Sequence, residues 1–137
     1  MVTPTRGTAK TAIQWDVLPD SLYWGPKFLY ERYHLPFLIT ENGMSAHDVI
    51  SLDGKVHDPN RIDYLSRYLQ AYKKAAEEGV DIAGYFVWSL LDNFEWANGY
   101  SDRFGLIFVD YDNDFKRIPK DSAKWYRNVI DSNCSIL

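Results

Sequence analysis

The sequence predicts an α/β fold built on a parallel sheet. Helical segments precede, separate and follow two continuous apolar runs at residues 37–40 and 82–88. The order helix, strand, helix, strand, helix is typical of α/β units, in which a helix connects neighbouring parallel strands. Polar segments rich in functional groups follow both runs, at the strand ends where α/β folds build their sites. Two strands cannot cover both of their own faces, so we expect a part of a larger domain.

The first helix and the first strand lie between residues 20 and 43. Asp20 is a candidate N-cap, Pro26 is predicted to restart the helix, and the helix runs to about Tyr33. The strand at 37–40 is bounded by a proline before it and by Gly43 after it. A short apolar run with such boundaries predicts a strand that is buried on both faces.

The second helix is the most clearly marked element. It follows a loop at 44–57, Asp58 is its candidate N-cap, Pro59 fits its first position, and Gly79 ends it. Apolar residues recur in it at alternating spacings of three and four, which predicts one buried stripe. The stripe consists of Ile62, Leu65, Leu69, Tyr72 and Ala76.

The last third of the sequence predicts a hairpin and a helix. After the strand at 82–88, a long loop leads to a strand-like run at 104–109, which is expected to pair with 115–118. Asp121 is the candidate N-cap of a final helix that reaches about Ile130. The residues expected to face inward are Ala123, Tyr126 and Ile130.

Composition excludes several classes of function. The 137 residues include 15 Lys+Arg and 19 Asp+Glu, a net charge of -4, so nucleic acid is not an expected partner. No apolar stretch approaches the roughly 18 residues of a membrane span. Residues 1–10 are polar, show no signal peptide and are expected to be loose. The single cysteine, Cys134, favours the cytoplasm, and a single partial domain over 1–137 is expected because no linker divides the chain.

The sequence points to no metal and no cofactor. His34, His47 and His57 lack the spacing of metal ligands. No glycine-rich phosphate loop occurs in the chain either.

Two polar segments are candidates for a functional site. Glu41 directly follows the first strand, where a buried carboxylate needs partners, although it fits a solvated loop equally well. The loop after the second strand combines two indoles with a carboxylate, in Trp88, Glu95 and Trp96. Such a mixture suits a sugar, whose C–H faces lie on aromatic rings and whose hydroxyls donate to carboxylates. The residues alone leave open that both indoles belong to the core.

Two longer motifs resemble those of family 1 of the glycoside hydrolases, the β-glucosidase family. The segment FLITENGMS at 37–45 resembles the nucleophile signature of that family. The segment WSLLDNFEW at 88–96, followed by GYS at 99–101 and RFGL at 103–106, resembles the loop after its eighth barrel strand. The resemblance extends from about residue 11 to about residue 130. It implies the C-terminal portion of a TIM (β/α)₈ barrel, about strands seven and eight with their helices.

The resemblance implies a role for five residues. Glu41 matches the catalytic nucleophile, which attacks the anomeric carbon and forms a covalent glycosyl-enzyme. Trp88 matches the platform under the nonreducing sugar, and Glu95 and Trp96 match the groups that hydrogen-bond its outer hydroxyls. Phe104 matches an apolar wall of the same pocket. Relatives acting on 6-phosphoglycosides carry a small residue at the position of Glu95, so a plain β-glucoside or a related β-glycoside is the expected substrate.

The second catalytic carboxyl of this family is not found in the sequence. In the family it lies in an Asn-Glu-Pro motif on strand four, and the 137 residues contain no such motif. Retaining hydrolysis uses two carboxyl groups about 5–5.5 Å apart. We therefore expect a C-terminal part of a retaining β-glucosidase, inactive by itself. The alternative is a non-catalytic sugar-binding or complementation module. In both cases the expected partner is the missing N-terminal barrel segment or a second copy of the chain.

Overall fold

The computed structural model describes residues 7–137 and confirms the predicted α/β order. The elements are α1 (Ser21–Tyr33), β1 (Phe37–Asn42), α2 (Pro59–Glu77), β2 (Ile82–Val87), a short 3₁₀ turn (Trp96–Asn98), β3 (Ile107–Asp110), β4 (Lys116–Pro119) and α3 (Asp121–Asp131). β1 and β2 pair in parallel, and β3 and β4 form the predicted antiparallel hairpin. Within the described range, no helix has the length and apolarity needed to cross a membrane.

The sheet formed by β1 and β2 is covered on one face only. Tyr72 of α2 places its hydroxyl 3.0 Å from the carbonyl oxygen of Phe37 and 3.2 Å from that of Gly84. On these strands, however, Leu38 is 44% exposed and Phe86 is 60% exposed. The prediction that both strands are buried on both faces is therefore wrong for this chain, since no other described strand pairs with this sheet.

The first helix is continuous through Pro26. Asp20 is its N-cap residue, as predicted, but Pro26 lies inside the helix and does not restart it. A proline removes one backbone donor from a helix, and burial of its ring accompanies that loss here. The helix ends at His34, which adopts the left-handed conformation and donates its N–H to the Tyr30 carbonyl.

The second helix carries most of the core. Leu65, Leu69 and Tyr72 are buried as predicted, whereas Ala76 is exposed and Ala75 is buried in its place. The buried face is wider than one stripe, because a second row of tyrosines and an arginine also faces inward. The seven buried residues are Arg61, Tyr64, Leu65, Tyr68, Leu69, Tyr72 and Ala75.

One predicted helix cap acts on a different helix from the one it precedes. Asp58 holds the N-cap position of α2 but makes no side-chain capping bond to a backbone N–H of that helix. Its carboxylate pairs with the Arg61 side chain and accepts the N–H of Ser122 at 2.8 Å and the Ser122 hydroxyl at 2.5 Å. Asp58 therefore caps α3. Asp121 is the first residue of α3, and Lys120 holds its N-cap position.

The prediction for the inward face of α3 is confirmed at Ala123 and Tyr126, which pack against the core, but is wrong at Ile130. Val129 is almost fully buried, whereas Ile130 is 60% exposed. Ser122, Tyr126 and Val129, at spacings of four and three, define the face that the protein covers.

The predicted loose segment is partly attached. Residues 1–6 lie outside the described part of the chain. Lys10 forms a β-bridge with Asp16, and the Ala9 carbonyl accepts the N–H of Val17 at 2.9 Å. The expectation of a loose segment is therefore corrected at residues 9 and 10, because backbone hydrogen bonds hold them.

Candidate active site

A cavity of about 560 Å³ opens where β1 and β2 end. It is lined by Trp15, Glu41, Asn42, Gly43, Tyr64, Trp88, Glu95, Trp96 and Phe104. All five residues singled out from the sequence lie in this one cavity. Two strand ends and the long loop after β2 therefore meet at a single place, as expected for parallel strands.

Glu41 supplies one of the two carboxylates that line the cavity. It lies within β1 and not in a loop, and its side chain is exposed. No side chain among residues 7–137 forms a hydrogen bond or an ion pair with its carboxylate. The carboxylate is therefore free to contact a ligand in the cavity.

The strand end that carries Glu41 is held by neutral hydrogen bonds. The hydroxyl of Tyr85 donates to Oδ1 of Asn42 at 2.7 Å, and Nδ2 of Asn42 donates to the hydroxyl of Tyr64 at 3.2 Å. Burial raises the pKa of Tyr64 and that of Tyr85, so both phenols keep their protons. Asn42 thus fixes the backbone beside Glu41 without adding a second charge.

The backbones that carry Glu41 and Trp88 touch directly. Trp88 follows β2 and donates its N–H to the carbonyl of Asn42 at 2.9 Å. A Cβ on Gly43 would lie only 1.6 Å from the carbonyl oxygen of Trp88. This close approach requires glycine, and it brings the half-buried indole of Trp88 beside the end of β1.

Glu95 and Trp96 lie in the loop opposite. The N–H of Glu95 donates to the carbonyl of Gly99 at 2.7 Å, which closes a short turn. Trp96 is 83% exposed, so the interpretation that both indoles are core residues is wrong for Trp96. An exposed indole beside a half-buried carboxylate offers a ring and an N–H donor to a polyhydroxylated ligand.

Sequence reasoning missed part of the cavity wall. Phe104 is buried, and its ring lies 6.1 Å from that of Trp15, which is also part of the wall. Trp15 lies in a polar segment without periodicity, so only the presence of a tryptophan there could have indicated it. Tyr64 was missed because it lies outside the single predicted stripe of α2, on the second buried row of that helix.

A buried charge network, one member of which directly precedes Phe104 in the sequence, was also missed. It consists of Asp48, Asp58, Arg61, Asp92, Arg103 and Lys120. Burial opposes ionisation of Asp48, but Arg61 and Lys120 outweigh it and lower the pKa of Asp48. Burial, with the neighbouring Arg61, lowers the pKa of Lys120.

Comparison with known proteins places this chain among glycosidases. The sequence model of the family described as Glycosyl hydrolase family 1 matches residues 3–135. A curated relative named beta-glucosidase A, from Thermotoga maritima, is 54% identical over 129 residues, which is 93% of this chain and 29% of the relative. A bifunctional beta-D-glucosidase/beta-D-fucosidase from Bifidobacterium breve is 50% identical over 132 residues, covering 93% of this chain and 28% of that protein.

The solved structures agree with the sequences. The beta-glucosidase from Thermotoga maritima in complex with glucoimidazole superimposes with a TM-score of 0.91 at 53% identity. The superposition covers 95% of this chain and 30% of that one. The chain thus spans less than a third of the length of these relatives.

Proposed function

The chain belongs to glycosyl hydrolase family 1, and from this we propose that it supplies the nucleophile and part of the sugar pocket of a retaining β-glucosidase. One observation carries the proposal: Glu41 shares a cavity with Trp88, Glu95, Trp96 and Phe104. Its carboxylate has no partner among the described residues, and aromatic and acidic groups suited to a sugar surround it.

Glu41 acts as the nucleophile in this proposal. Its carboxylate oxygen forms a bond to the anomeric carbon while the bond from that carbon to the leaving oxygen breaks. The leaving oxygen takes a proton from a second carboxyl group, and water then releases the sugar from Glu41.

The other cavity residues hold the sugar. The face of Trp88 lies against sugar C–H groups, Glu95 accepts hydroxyl protons, and Trp96 donates its indole N–H. Phe104 closes one side as an apolar wall. Glu95 would repel a phosphate group, which favours an unphosphorylated β-glucoside or related β-glycoside.

We further propose that β1 and β2 are strands seven and eight of a TIM barrel, with the acid/base on a segment outside this chain. Their parallel pairing, the helix between them and the open sheet face support the assignment. The sequence contains no Asn-Glu-Pro motif. The chain alone is then inactive towards unactivated β-glucosides, and complementation by a second chain is the alternative role.

Covalent labelling tests the proposal. This chain is joined to the segment that precedes the matched region in beta-glucosidase A of Thermotoga maritima. The chimera is treated with a 2-fluoroglucoside whose leaving group needs no protonation. We expect mass spectrometry to find the label on Glu41, Glu41→Gln to abolish labelling, and Glu77→Gln, on the exposed end of α2, to leave it intact. A label on any other carboxylate would refute the assignment of the nucleophile.

A further inference from the structure

We propose that Lys120, acting through Asp92, is a positioning residue that holds the wall of the sugar pocket in place. The inference rests on the proposed function, since it concerns the same cavity. Neither residue lines that cavity. Both belong to the buried charge network defined above.

Asp92 connects the two ends of the pocket loop. One carboxylate oxygen accepts the N–H of Gly105 at 2.9 Å; the other accepts the N–H of Val109 at 3.3 Å and a guanidinium N–H of Arg103 at 2.7 Å. Asp92 lies between Trp88 and Glu95 in sequence, and Gly105 follows Phe104. The carboxylate therefore fixes both stretches of the loop that carry cavity residues.

Lys120 fixes Asp92 in turn. Its ammonium group is fully buried and donates to Asp92 at 2.8 Å and to Asp48 at 2.6 Å. Asp48 also accepts from Arg61 at 2.7 Å, and Arg61 pairs with Asp58. Lys120 thus links the loop after β2 to the loop after β1, at the start of α3.

The network is electrically balanced. Three aspartates face two arginines and one lysine, so the formal charges of the six groups cancel. Removing Lys120 alone leaves one buried negative charge uncompensated, which destabilises a protein strongly. A single variant would therefore mix the loss of folding with the loss of positioning.

A charge-balanced double variant separates the two effects. Lys120→Met combined with Asp48→Asn leaves Asp58 and Asp92 opposite Arg61 and Arg103. The number of buried charges is equal again, so the melting temperature should rise above that of Lys120→Met. Asp92 nevertheless lacks its ammonium partner. A purely structural role predicts that the pocket wall recovers together with the stability, whereas positioning predicts that it does not.

Amide hydrogen exchange is the first readout. In the double variant we expect the amides of Gly105 and Val109 to exchange about tenfold faster, the size of a lost hydrogen bond to a charged group. The reference is the Val80 amide, which donates to Ala75 at the far end of α2 and should be unaffected. Unchanged exchange at Gly105 and Val109 would overturn the proposal. If the double variant does not fold, Asp92→Asn must show the same selective acceleration.

Sugar binding is the second readout. Phenyl β-D-glucoside is titrated by calorimetry against the Thermotoga chimera described above, which carries Glu41→Gln so that the glucoside is not consumed. We expect the dissociation constant of the double variant to be about tenfold higher than that of the chimera with the intact charge network. Equal affinities would overturn the positioning role. A chimera with the intact charge network that binds no glucoside would count against the proposed function, while the exchange experiment would still decide the role of Lys120.

Discussion

At the scale of single residues, two glycines determine how closely the cavity wall can pack. A Cβ on Gly43 would lie 1.6 Å from the carbonyl oxygen of Trp88, and one on Gly105 would lie 2.2 Å from the backbone nitrogen of Asp92. Both contacts involve backbone atoms, which cannot move aside without displacing the loop. Gly43 therefore sets the distance between the end of β1 and the residue that follows β2, and Gly105 sets the distance between the loop after β2 and the segment that precedes β3.

The substitution Gly43→Ala should destabilise the chain by about 1–3 kcal/mol, the range found for overpacked sites. Urea unfolding followed by circular dichroism measures the loss. Gly25→Ala is the matched control, because a Cβ at Gly25 in α1 meets nothing within 4 Å. That variant should be unchanged or up to about 1 kcal/mol more stable. Equal stabilities of the two variants would show that the contact with Trp88 is relaxed in solution.

The substitution Glu95→Ser should weaken the action of the Thermotoga chimera on aryl β-glucosides. A sugar hydroxyl loses its charged acceptor, which is worth roughly 1.5–3 kcal/mol in kcat/KM. Steady-state kinetics measure the change, with Glu31→Ser on the exposed surface of α1 as the control. Unchanged kinetics for Glu95→Ser would show that Glu95 does not bind the sugar.

The sequence predicted the site residues that lie in recognisable local motifs, and it missed the residues whose interaction partners are distant in the sequence. Glu41 and Trp88 lie in motifs, and the structure places both in the cavity. Lys120 bonds to Asp48, which is 72 positions away, and nothing near either residue indicates the pair. Burial of a lysine is uncommon, so composition favoured a surface position for Lys120.

At the scale of elements, α3 is capped by a residue from the start of another helix. Sequence rules assign Asp58 and Asp121 as caps of the helices they precede, because such rules consider only neighbouring residues. In the folded chain, Asp58 accepts the N–H of Ser122, and Asp121 lies 2.5 Å from Nδ1 of His57. These two contacts tie the start of α3 to the residues just before α2, a packing relationship that local patterns do not encode.

The contact between His57 and α3 should make stability depend on pH. Asp121 and, on the other ring nitrogen, Asp53 raise the pKa of His57, and Lys55 lies 3.5 Å from Asp53. Because the folded-state pKa exceeds the ordinary value of about 6.5, the stabilisation is complete below that pH. It is lost as the pH rises through the folded-state pKa.

Urea unfolding of the wild type and of His57→Gln at about pH 6 and about pH 9 measures this effect. We expect the wild type to be the more stable at the lower pH and the difference to shrink at the higher pH. His47→Gln, at an exposed position in the same loop, should show no such trend. A difference between wild type and His57→Gln that is constant with pH would contradict the role of the imidazolium.

At the scale of the whole molecule, the hydrophobic core lies on one side of the sheet. Met44, Tyr64, Leu65, Tyr68 and Leu106 form a buried cluster. The other side presents Leu38 and Phe86 to solvent, and α1 adds exposed aromatic side chains. The parallel sheet also has two unpaired edges within the described residues. Sheet edges and apolar faces of this kind promote association between chains.

The chain by itself should therefore self-associate, and the open sheet face should drive the association. Sedimentation velocity over a range of concentrations measures it. The paired substitution Leu38→Thr with Phe86→Thr should shift the chain towards monomer, because it removes apolar surface and introduces a β-branched residue that suits a strand. Ile130→Thr is the matched control, since Ile130 is as exposed as Phe86, at 60%, but lies on α3.

A wild-type chain that stays monomeric and melts cooperatively would contradict the prediction. An equal shift from Ile130→Thr would show that the association involves α3 and is not specific to the sheet face. A shift confined to the sheet variant would identify this face as the surface through which the chains associate.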